Sequence, residues 1–300
     1  MRPLSVRRLS KRFSGFTAVD SIDFDVSRSE IVVIIGANGA GKSTLLKSIA
    51  GLYRPTSGHI LAFGKEAYEL NGPERRRLSF LGENYALYDN LTVMENMRFF
   101  SRLYGIDEYA GIAHDLLKDF DADEYAGRKV GELSRGTKQK VAICRCLLND
   151  PELLILDEPA AFLDSSSAEL LYRKLDGLAR AGSAVLYATQ RLEDLYRIGR
   201  KMLLIDRGRR LRFGDIDSVV KGIRNIEIEV TLVKMLDAKG LDALSRFNVR
   251  TSGNMLMAHV RHINEVPRLI SIISGLGGLI INVNSLKQNI SEIIKHSRVQ

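Results

Sequence analysis

A glycine-rich stretch that ends in a lysine and a hydroxyl residue carries the clearest chemistry in this sequence. Residues 36–43 read GANGAGKS and fit the pattern G-x-x-x-x-G-K-[ST]. Glycines let successive backbone N–H groups turn toward phosphate oxygens. Lys42 is then expected to reach the β- and γ-phosphates, and Ser43 offers its hydroxyl to Mg²⁺. The pattern predicts a site for the phosphates of a nucleotide.

Two adjacent acids, Asp157 and Glu158, are the second candidate. They directly follow the apolar run Leu153–Leu156. Burying carboxylates is costly unless they are paired, protonated or close to a cation. A Mg²⁺ ion held by Ser43 would supply that cation. Asp157 is therefore predicted to face the metal, and Glu158 to polarise the water that attacks the γ-phosphate.

Weaker signals come from residue types that have other common uses. Ser134 and Gly136 lie where a helix is predicted to begin, and a helix N-terminus can bind an anion, although such caps are frequent. Phe13, about thirty residues before Lys42, could stack on a nucleotide base. On residue type alone, a core aromatic is the commoner interpretation, and Phe16 competes for the same role.

The elements that must position these residues alternate between strand and helix patterns. Ile31–Ile35 is a β-branched apolar run before the glycine-rich stretch, and a helical pattern follows it. Leu153–Leu156 and Ala184–Ala188 are further apolar runs of strand length. The alternation predicts the α/β class with a mostly parallel sheet and ligands at the carboxyl ends of its strands.

Local capping signals predict several helix starts. Thr92, followed three residues later by Glu95, forms a capping-box pattern, and residues 93–127 have helical patterns with no strand signal. Asp164 is predicted to cap the next helix, through Leu178.

The composition changes near Gly222, and residues 223–300 have the pattern of a small α+β unit. We predict a helix at Lys234–Phe247 and a closing helix at Ser285–His296. The predicted domains are therefore residues 1–222 and residues 223–300.

The bulk composition is that of a soluble globular protein, with 27% charged residues and a net charge of +8 over 300 residues. Residues 223–300 carry ten Lys/Arg and six Asp/Glu, so half of the net positive charge lies there and half in the rest of the chain. This spread predicts no nucleic-acid partner. The N-terminus lacks the apolar core of a signal peptide. The uncharged segment 269–286 contains glycines and asparagines, which favours helix, turn and strand over a membrane span. We expect a cytoplasmic protein.

In this order, the motifs resemble the nucleotide-binding subunit of ATP-binding cassette (ABC) transporters over residues 4 to about 215. The resemblance implies a RecA-like P-loop NTPase core with antiparallel N-terminal strands and a helical subdomain at about 84–150. It implies ATP and Mg²⁺ as cofactors, ATP hydrolysis, and two subunits that sandwich two ATP molecules. It further implies a membrane permease as partner, which holds the chain on the inner face of the cell membrane.

The resemblance also assigns roles to residues of the ATP-binding half. Phe13 stacks on adenine, and Glu83 occupies the position of the glutamine that senses Mg²⁺ and couples to the membrane partner. Asp157 with Ser43 holds the metal. The residues that hold the phosphates and Mg²⁺ are Gly36, Asn38, Gly39, Ala40, Gly41, Lys42, Ser43 and Thr44.

Other residues are assigned to the opposite subunit's ATP or to the switch. Ser134 and Gly136 bind the γ-phosphate of the ATP that the opposite subunit holds. Asp164 lies in the loop that crosses the dimer interface. Gln190 occupies the position of the switch histidine, so the catalytic set implied is Glu158, Gln190 and Lys42.

Three positions depart from the usual family pattern. Arg135 replaces a glycine of the signature loop, and Glu83 replaces the glutamine. Gln190 replaces the histidine, and glutamine cannot carry a positive charge. We therefore hypothesise slow hydrolysis, or a heterodimer with a more complete ABC ATPase subunit in place of a homodimer.

The C-terminal unit, with Leu286–Ile294 as its closing helix, resembles the small domain that follows the cassette in exporter ATPases of the drug, antibiotic and haem type. It favours export. Two alternatives stay open: a subunit that binds ATP only as a structural or regulatory ligand, and a soluble ABC ATPase outside transport. The latter usually carries two cassettes or long coiled-coil insertions, and the sequence has neither pattern.

Overall fold

The computed structural model describes residues 2–220, 226–260 and 265–285. The chain divides into two compact units, residues 1–214 and 215–300. The domain boundary predicted at Gly222 lies outside the described residues, and so do residues 286–296 of the closing helix predicted at Ser285–His296. Ser285 itself ends a strand.

The first unit is an α/β structure. Its strands are β1 (Leu4–Phe13), β2 (Phe16–Val26), β3 (Ile31–Ile35), β4 (Ser57–Ala62), β5 (Lys65–Glu66), β6 (Leu78–Leu81), β7 (Leu153–Asp157), β8 (Ala184–Thr189), β9 (Lys201–Asp206) and β10 (Arg209–Asp215). Its helices are α1 (Lys42–Ile49), α2 (Gly72–Arg76), α3 (Val93–Tyr104), α4 (Tyr109–Asp119), α5 (Arg135–Leu147), α6 (Ser165–Arg180) and α7 (Leu192–Ile198).

The central sheet has six strands in the order β10-β9-β3-β8-β7-β6. β3 pairs in parallel with β8 and β9, and β7 pairs in parallel with β6 and β8. Every residue of β3, β7 and β8 is buried, as expected for parallel strands covered on both faces. This order puts the carboxyl ends of β3, β7 and β8 side by side. The loops that begin at Gly36, Glu158 and Gln190 therefore start from one edge of the sheet.

A second, antiparallel sheet has the order β2-β1-β4-β5. Its core residues, such as Val19 and Phe24, belong to the same buried cluster as Leu45 and Ile49 of α1 and Ile34 of the central sheet. The helix that follows the glycine-rich loop is therefore fixed by packing that involves both sheets.

The predicted capping box is confirmed. The Thr92 hydroxyl accepts the Glu95 N–H at 3.2 Å, and the Glu95 carboxylate accepts the Thr92 N–H at 2.8 Å. The predicted helical run 93–127 is divided into α3, α4 and a short 3₁₀ turn. α3 ends at Gly105, whose φ of 72° provides the left-handed cap that stops a helix.

The second unit is α+β. Its elements are α8 (Ile216–Val220), β11 (Ile226–Leu232), α9 (Ala238–Asp242), β12 (Arg250–Ser252), β13 (Met255–Val260), α10 (Val266–Gly275) and β14 (Ile280–Ser285). The antiparallel sheet has the order β12-β13-β11-β14. Its buried cluster joins Val230 and Leu256 of the sheet to Leu269 and Ile273 of α10.

The helix predicted over Lys234–Phe247 is wrong in extent. The Asp237 carboxylate accepts the Gly240 N–H at 2.8 Å and so starts α9 at Ala238. The chain leaves α9 after five residues, and Asn248 at φ 47° ends a 3₁₀ turn. No helix among residues 2–220, 226–260 and 265–285 is long and apolar enough to cross a membrane.

Candidate nucleotide-binding site

The glycine-rich loop joins β3 to α1, and two of its glycines are required by close backbone approach. Gly41 is the N-cap of α1 with φ 101°, and a Cβ there would lie 2.4 Å from the carbonyl oxygen of Ala18. A Cβ on Gly36 would lie 2.5 Å from the carbonyl oxygen of Ile205. Side chains at these positions would push the loop off the strands that hold it. The loop therefore keeps its backbone curved at the N-terminus of α1.

Lys42 is held inside this loop. It is 6% exposed, and its Nζ donates to the carbonyl oxygens of Gly36 at 2.8 Å and Ala37 at 3.4 Å. The same Nζ lies 3.6 Å from Oε1 of Glu158. The ammonium is thus placed between the loop that would hold phosphates and the acids that follow β7.

Asp157 ends β7 as a buried carboxylate with unsatisfied oxygens. It is 3% exposed, and neither oxygen has a hydrogen-bond partner. Burial raises the pKa of Asp157. The nearby Ser43 hydroxyl lowers that pKa, and the Glu83 carboxylate raises it. Neither Asp157 oxygen has a partner within hydrogen-bond geometry. An uncompensated buried carboxylate of this kind requires a cation or a proton.

These groups fit a hard cation that takes oxygen ligands. Among the described residues, no three His, Cys, Asp or Glu side chains cluster to bind a metal by themselves. Mg²⁺ characteristically binds through one or two carboxylates, waters and substrate phosphates. Asp157, Ser43 and Glu83 therefore suit a magnesium ion that arrives with a nucleotide.

Glu158 has an unusual backbone conformation. Its φ of 48° is left-handed, which costs a non-glycine residue about 1–2 kcal/mol. Its N–H donates to the carbonyl oxygen of Ala188 at 2.9 Å, which ties the loop after β7 to β8. Burial raises the pKa of the Glu158 carboxyl, while Lys42 and the Gln190 N–H lower it. A raised pKa moves a carboxylate toward the range of a general base at neutral pH.

Gln190 is exposed directly after β8, and its backbone N–H faces the Glu158 carboxylate. The structure thus brings together Lys42, Ser43, Asp157 and Glu158 with Gln190. Glu83 lies close enough to influence Asp157.

Ser134 and Gly136 are near a different loop. The Ser134 hydroxyl caps α5 by accepting the Thr137 N–H at 3.2 Å. A Cβ on Gly136 would lie 3.0 Å from the carbonyl oxygen of Phe162, so the start of α5 is close to the segment that leads to Asp164. In the part of the chain described, neither residue has a hydrogen bond or ion pair to the glycine-rich loop.

Asp164 caps α6, as the sequence predicts. Its Oδ1 accepts the Ser166 hydroxyl at 2.6 Å and the Ser167 N–H at 2.9 Å. These bonds, with the Lys140 ammonium 3.4 Å away, hold the pKa of Asp164 well below its usual range. Asp164 is therefore anionic at neutral pH and fixed at the start of its helix.

Phe13 and Phe16 face each other across the β1–β2 hairpin. The Phe13 ring is 39% exposed and packs edge-on against Tyr53, with 5.4 Å between ring centroids. Lys11 Nζ lies 4.9 Å from the centre of the Phe13 ring. Phe16 is 63% exposed. Base stacking by Phe13 stays a prediction, with Phe16 as the more open aromatic.

A groove of about 630 Å³ lies beside the glycine-rich site, and sequence reasoning missed the arginine at its floor. Arg145 is 4% exposed and donates to the carbonyl oxygens of Phe80 and Tyr85, each at 3.2 Å. Its Nε has no hydrogen-bond partner. The available signal was its place four residues after Val141, on the buried face of α5.

The fold and the site define a P-loop ATPase subunit of the ABC type. The chain matches the family described as ABC transporter over residues 19–161. It is 31% identical over 233 residues to the ABC transporter ATP-binding protein NatA of Bacillus subtilis, covering 77% of this chain and 95% of that one. The chain therefore belongs to the ATP-binding subunits of ABC transporters.

Other relatives and solved structures agree with this family. The Nod factor export ATP-binding protein I of Burkholderia orbicola is 32% identical over 263 residues, 86% of each chain. The probable multidrug ABC transporter ATP-binding protein YbhF of Escherichia coli is 33% identical over 224 residues, 72% of this chain and 38% of that one.

Among solved structures, an ATP-binding subunit of an ABC transporter has 32% identity and a TM-score of 0.68, covering 72% of this chain and 91% of that chain. A dimeric bacterial ABC transporter cassette has 26% identity and a TM-score of 0.63, covering 71% and 98%. The same cassette in a post-hydrolysis state bound to ADP and Pi has a TM-score of 0.64, with the same identity and coverage.

The family and the P-loop fold class predicted from the sequence are confirmed. The chain is an ATP-binding and ATP-hydrolysing subunit of the ABC transporter family.

Proposed function

We propose that this chain drives export through a separate permease and that hydrolysis takes place between the glycine-rich loop and the acids after β7. The observation that carries the proposal is the buried Asp157 carboxylate, without hydrogen-bond partners, beside the Lys42–Glu158 pair. A structural core would not retain such a group, because its burial is compensated only when a cation arrives.

The geometry supports a role for each residue in this proposal. The loop amides and Lys42 would hold the β- and γ-phosphates, and Ser43, Asp157 and Glu83 would hold a magnesium ion that arrives with them. When bound, the ion neutralises charge that develops on the phosphates. Glu158 accepts the proton of the attacking water, as its raised pKa favours. Gln190, beside Glu158, orients that water.

The dimer supplies the remaining contacts. Ser134 and Gly136 bind the γ-phosphate of the opposite subunit's ATP, Asp164 is at the interface, and Phe13 stacks on adenine. The dimeric cassette among the solved structures supports the dimer itself. The partner is a second copy of this chain or another ABC ATPase subunit, and the uncharged Gln190 favours the latter.

The groove beside the site is proposed to receive a cytoplasmic segment of the permease. Its lining combines apolar side chains with cations that outnumber its single acid, Glu83, so it suits an apolar segment with an acidic residue. The apolar lining includes Leu52, Phe100 and Leu103, and the cations include Lys47, Arg76 and Arg145. Docking there would place the chain as a peripheral subunit on the inner face of the cell membrane.

Residues 1–222 are proposed as the nucleotide-binding domain and residues 223–300 as an accessory domain. Export as the direction of transport is supported by the relatives named for Nod factor export and multidrug transport.

The test is ATP turnover of the Glu158→Gln variant. We expect kcat to fall by about 10²–10⁴-fold, because the base is lost. The variant should also form an ATP-dependent dimer that elutes early in gel filtration. Glu169→Gln, at an exposed ion pair with Arg197, is the matched control and should keep the wild-type rate. If Glu158→Gln keeps that rate, ATP serves only as a structural or regulatory ligand, and the proposed mechanism is wrong.

A further inference from the structure

A buried acid that the proposed mechanism does not use lies behind the switch position. Asp194 of α7 is 1% exposed. Its Oδ1 accepts the Tyr172 hydroxyl at 2.6 Å, and its Oδ2 accepts the hydroxyls of Thr189 at 2.7 Å and Tyr187 at 3.2 Å. Three hydroxyl donors thus converge on one carboxylate, and the Arg191 guanidinium lies 3.6 Å from it.

Two of these partners are the residues on either side of Gln190. The Thr189 hydroxyl oxygen also accepts the Arg191 N–H at 2.9 Å. Arg191 in turn donates from Nη1 to the carbonyl oxygen of Ala160 at 3.2 Å, in the loop after Glu158. Gln190 is therefore fixed at its preceding and its following residue, and both are bound to Asp194.

We propose that Asp194 is a positioning residue for ATP hydrolysis. Through Thr189 and Arg191 it keeps the Gln190 backbone N–H directed at the Glu158 carboxylate and joins the switch to the loop after β7. The inference rests on the proposed function, in which Glu158 is the base. It goes beyond that function because Asp194 contacts neither substrate nor metal.

The arrangement is unlike one kept for stability alone. A well-packed apolar residue usually stabilises a core as well as a buried carboxylate does, because the carboxylate must be desolvated. Here the hydrogen bonds lead to the backbone around Gln190. A displacement of about 1 Å at a reacting group can cost about 10²-fold in rate. Asp194 therefore acts on the rate of the chemical step.

The test is a set of purified full-length variants assayed for kcat and KM with MgATP. Asp194→Asn and Thr189→Val should each lower kcat by about tenfold or more, with KM within about twofold of wild type, because the phosphate-binding loop is untouched. Thr189→Ser keeps the hydroxyl and should keep kcat within about twofold.

Tyr172→Phe is the matched control. It removes one donor to Oδ1 and leaves in place both the Thr189 hydroxyl at Oδ2 and the Arg191 guanidinium beside Oδ1, so kcat should stay within about twofold even if the unfolding temperature falls. Wild-type kcat in Asp194→Asn and Thr189→Val overturns the inference. Equal losses in Thr189→Ser and Thr189→Val, or a loss in Tyr172→Phe as large as that in Asp194→Asn, also overturn it.

Glu158→Gln measured in the same series separates the two proposals. If Glu158→Gln is inactive while Asp194→Asn keeps the wild-type rate, only the positioning role is wrong. If Glu158→Gln itself keeps the wild-type rate, the proposed base is wrong and the positioning role fails with it.

Discussion

The ammonium of Lys42 lies 3.6 Å from the carboxylate of Glu158, in a site where their side chains are 7% and 23% exposed. Each charge therefore compensates the other before nucleotide binds. A γ-phosphate that takes up Lys42 competes with Glu158 for the same cation. We expect ATP binding to weaken this ion pair and so to make Glu158 a stronger base at the moment when a base is needed.

Replacing Lys42 by alanine should reduce ATP affinity by about tenfold or more, because its charge-assisted hydrogen bonds to the phosphates are each worth about 1.5–3 kcal/mol. Retention of a fluorescent ATP analogue in the presence of Mg²⁺ measures this effect. Lys65→Ala, an exposed lysine paired with Glu74, is the control and should bind as wild type does. Unchanged affinity in Lys42→Ala would contradict the phosphate-binding role of the loop.

Replacing Asp157 by asparagine should stabilise the protein in the absence of Mg²⁺ and nucleotide while removing ATP turnover. Burial without hydrogen-bond partners disfavours the charged carboxylate, and asparagine carries no charge. Each kcal/mol gained raises the unfolding temperature of a chain of this size by about 2–4 °C. Calorimetry without metal and a coupled ATPase assay check the two effects. A lower unfolding temperature would show that the carboxylate is satisfied by the protein itself.

The Gln190→His variant should turn over ATP faster than wild type. Histidine can donate to the γ-phosphate as a cation, whereas glutamine cannot. We expect kcat to rise by about tenfold or more. A positioned acid–base group usually contributes about 10²–10⁴-fold, so a rise of this size is within its reach. Gln190→Ala is the control and should be no faster than wild type. If Gln190→His and wild type have the same rate, the glutamine does not limit hydrolysis.

Asp164 should make stability depend on acid pH in a defined direction. Its pKa is lowered in the folded protein from the ordinary value of 3.8, chiefly by the Ser166 hydroxyl and the Ser167 N–H. Its contribution is therefore fully present above pH 3.8 and is lost as the pH falls toward the folded value. Asp164→Asn keeps a neutral cap. Urea unfolding should show a larger free energy of unfolding for wild type than for this variant at pH 7, and a smaller difference between them at pH 3. An equal difference at both pH values would contradict the charge effect.

The groove should be needed at the membrane and not for hydrolysis. Leu103→Glu adds a charge to a lining residue that is 55% exposed. This variant should lower the fraction of the protein that co-floats with membranes in a density gradient. ATP turnover of the purified variant should stay within about twofold of wild type. Ile112→Glu, an exposed apolar residue of α4 outside the groove, is the control. Equal membrane binding by all three proteins would contradict docking at the groove.

Local signals made much of the site predictable. The Gly36–Ser43 pattern and the acids after β7 are contiguous in sequence, and the Thr92 and Asp164 caps depend on residues only three positions apart. The same kind of signal was present at Asp237, and the prediction of a helix from Lys234 overlooked it.

What depended on distant packing was not predictable from residue type, and at Arg145 only its spacing from Val141 indicated burial. Arg145 and Asp194 resemble surface residues by type, and only the packing of α5 and α7 buries them. The choice between Phe13 and Phe16 likewise depends on Tyr53, which is forty residues further along the chain. Residue type alone cannot decide such cases, because burial is decided by elements that are remote in sequence.

The hydrogen bond from the Glu158 N–H to the Ala188 carbonyl oxygen makes catalysis and nucleotide retention separable. A small separation of the ends of β7 and β8 would displace both Glu158 and Gln190 from the attacking water. The glycine-rich loop would still bind the triphosphate. On the proposed mechanism, ATP would then stay bound without being hydrolysed until the two strand ends were aligned again.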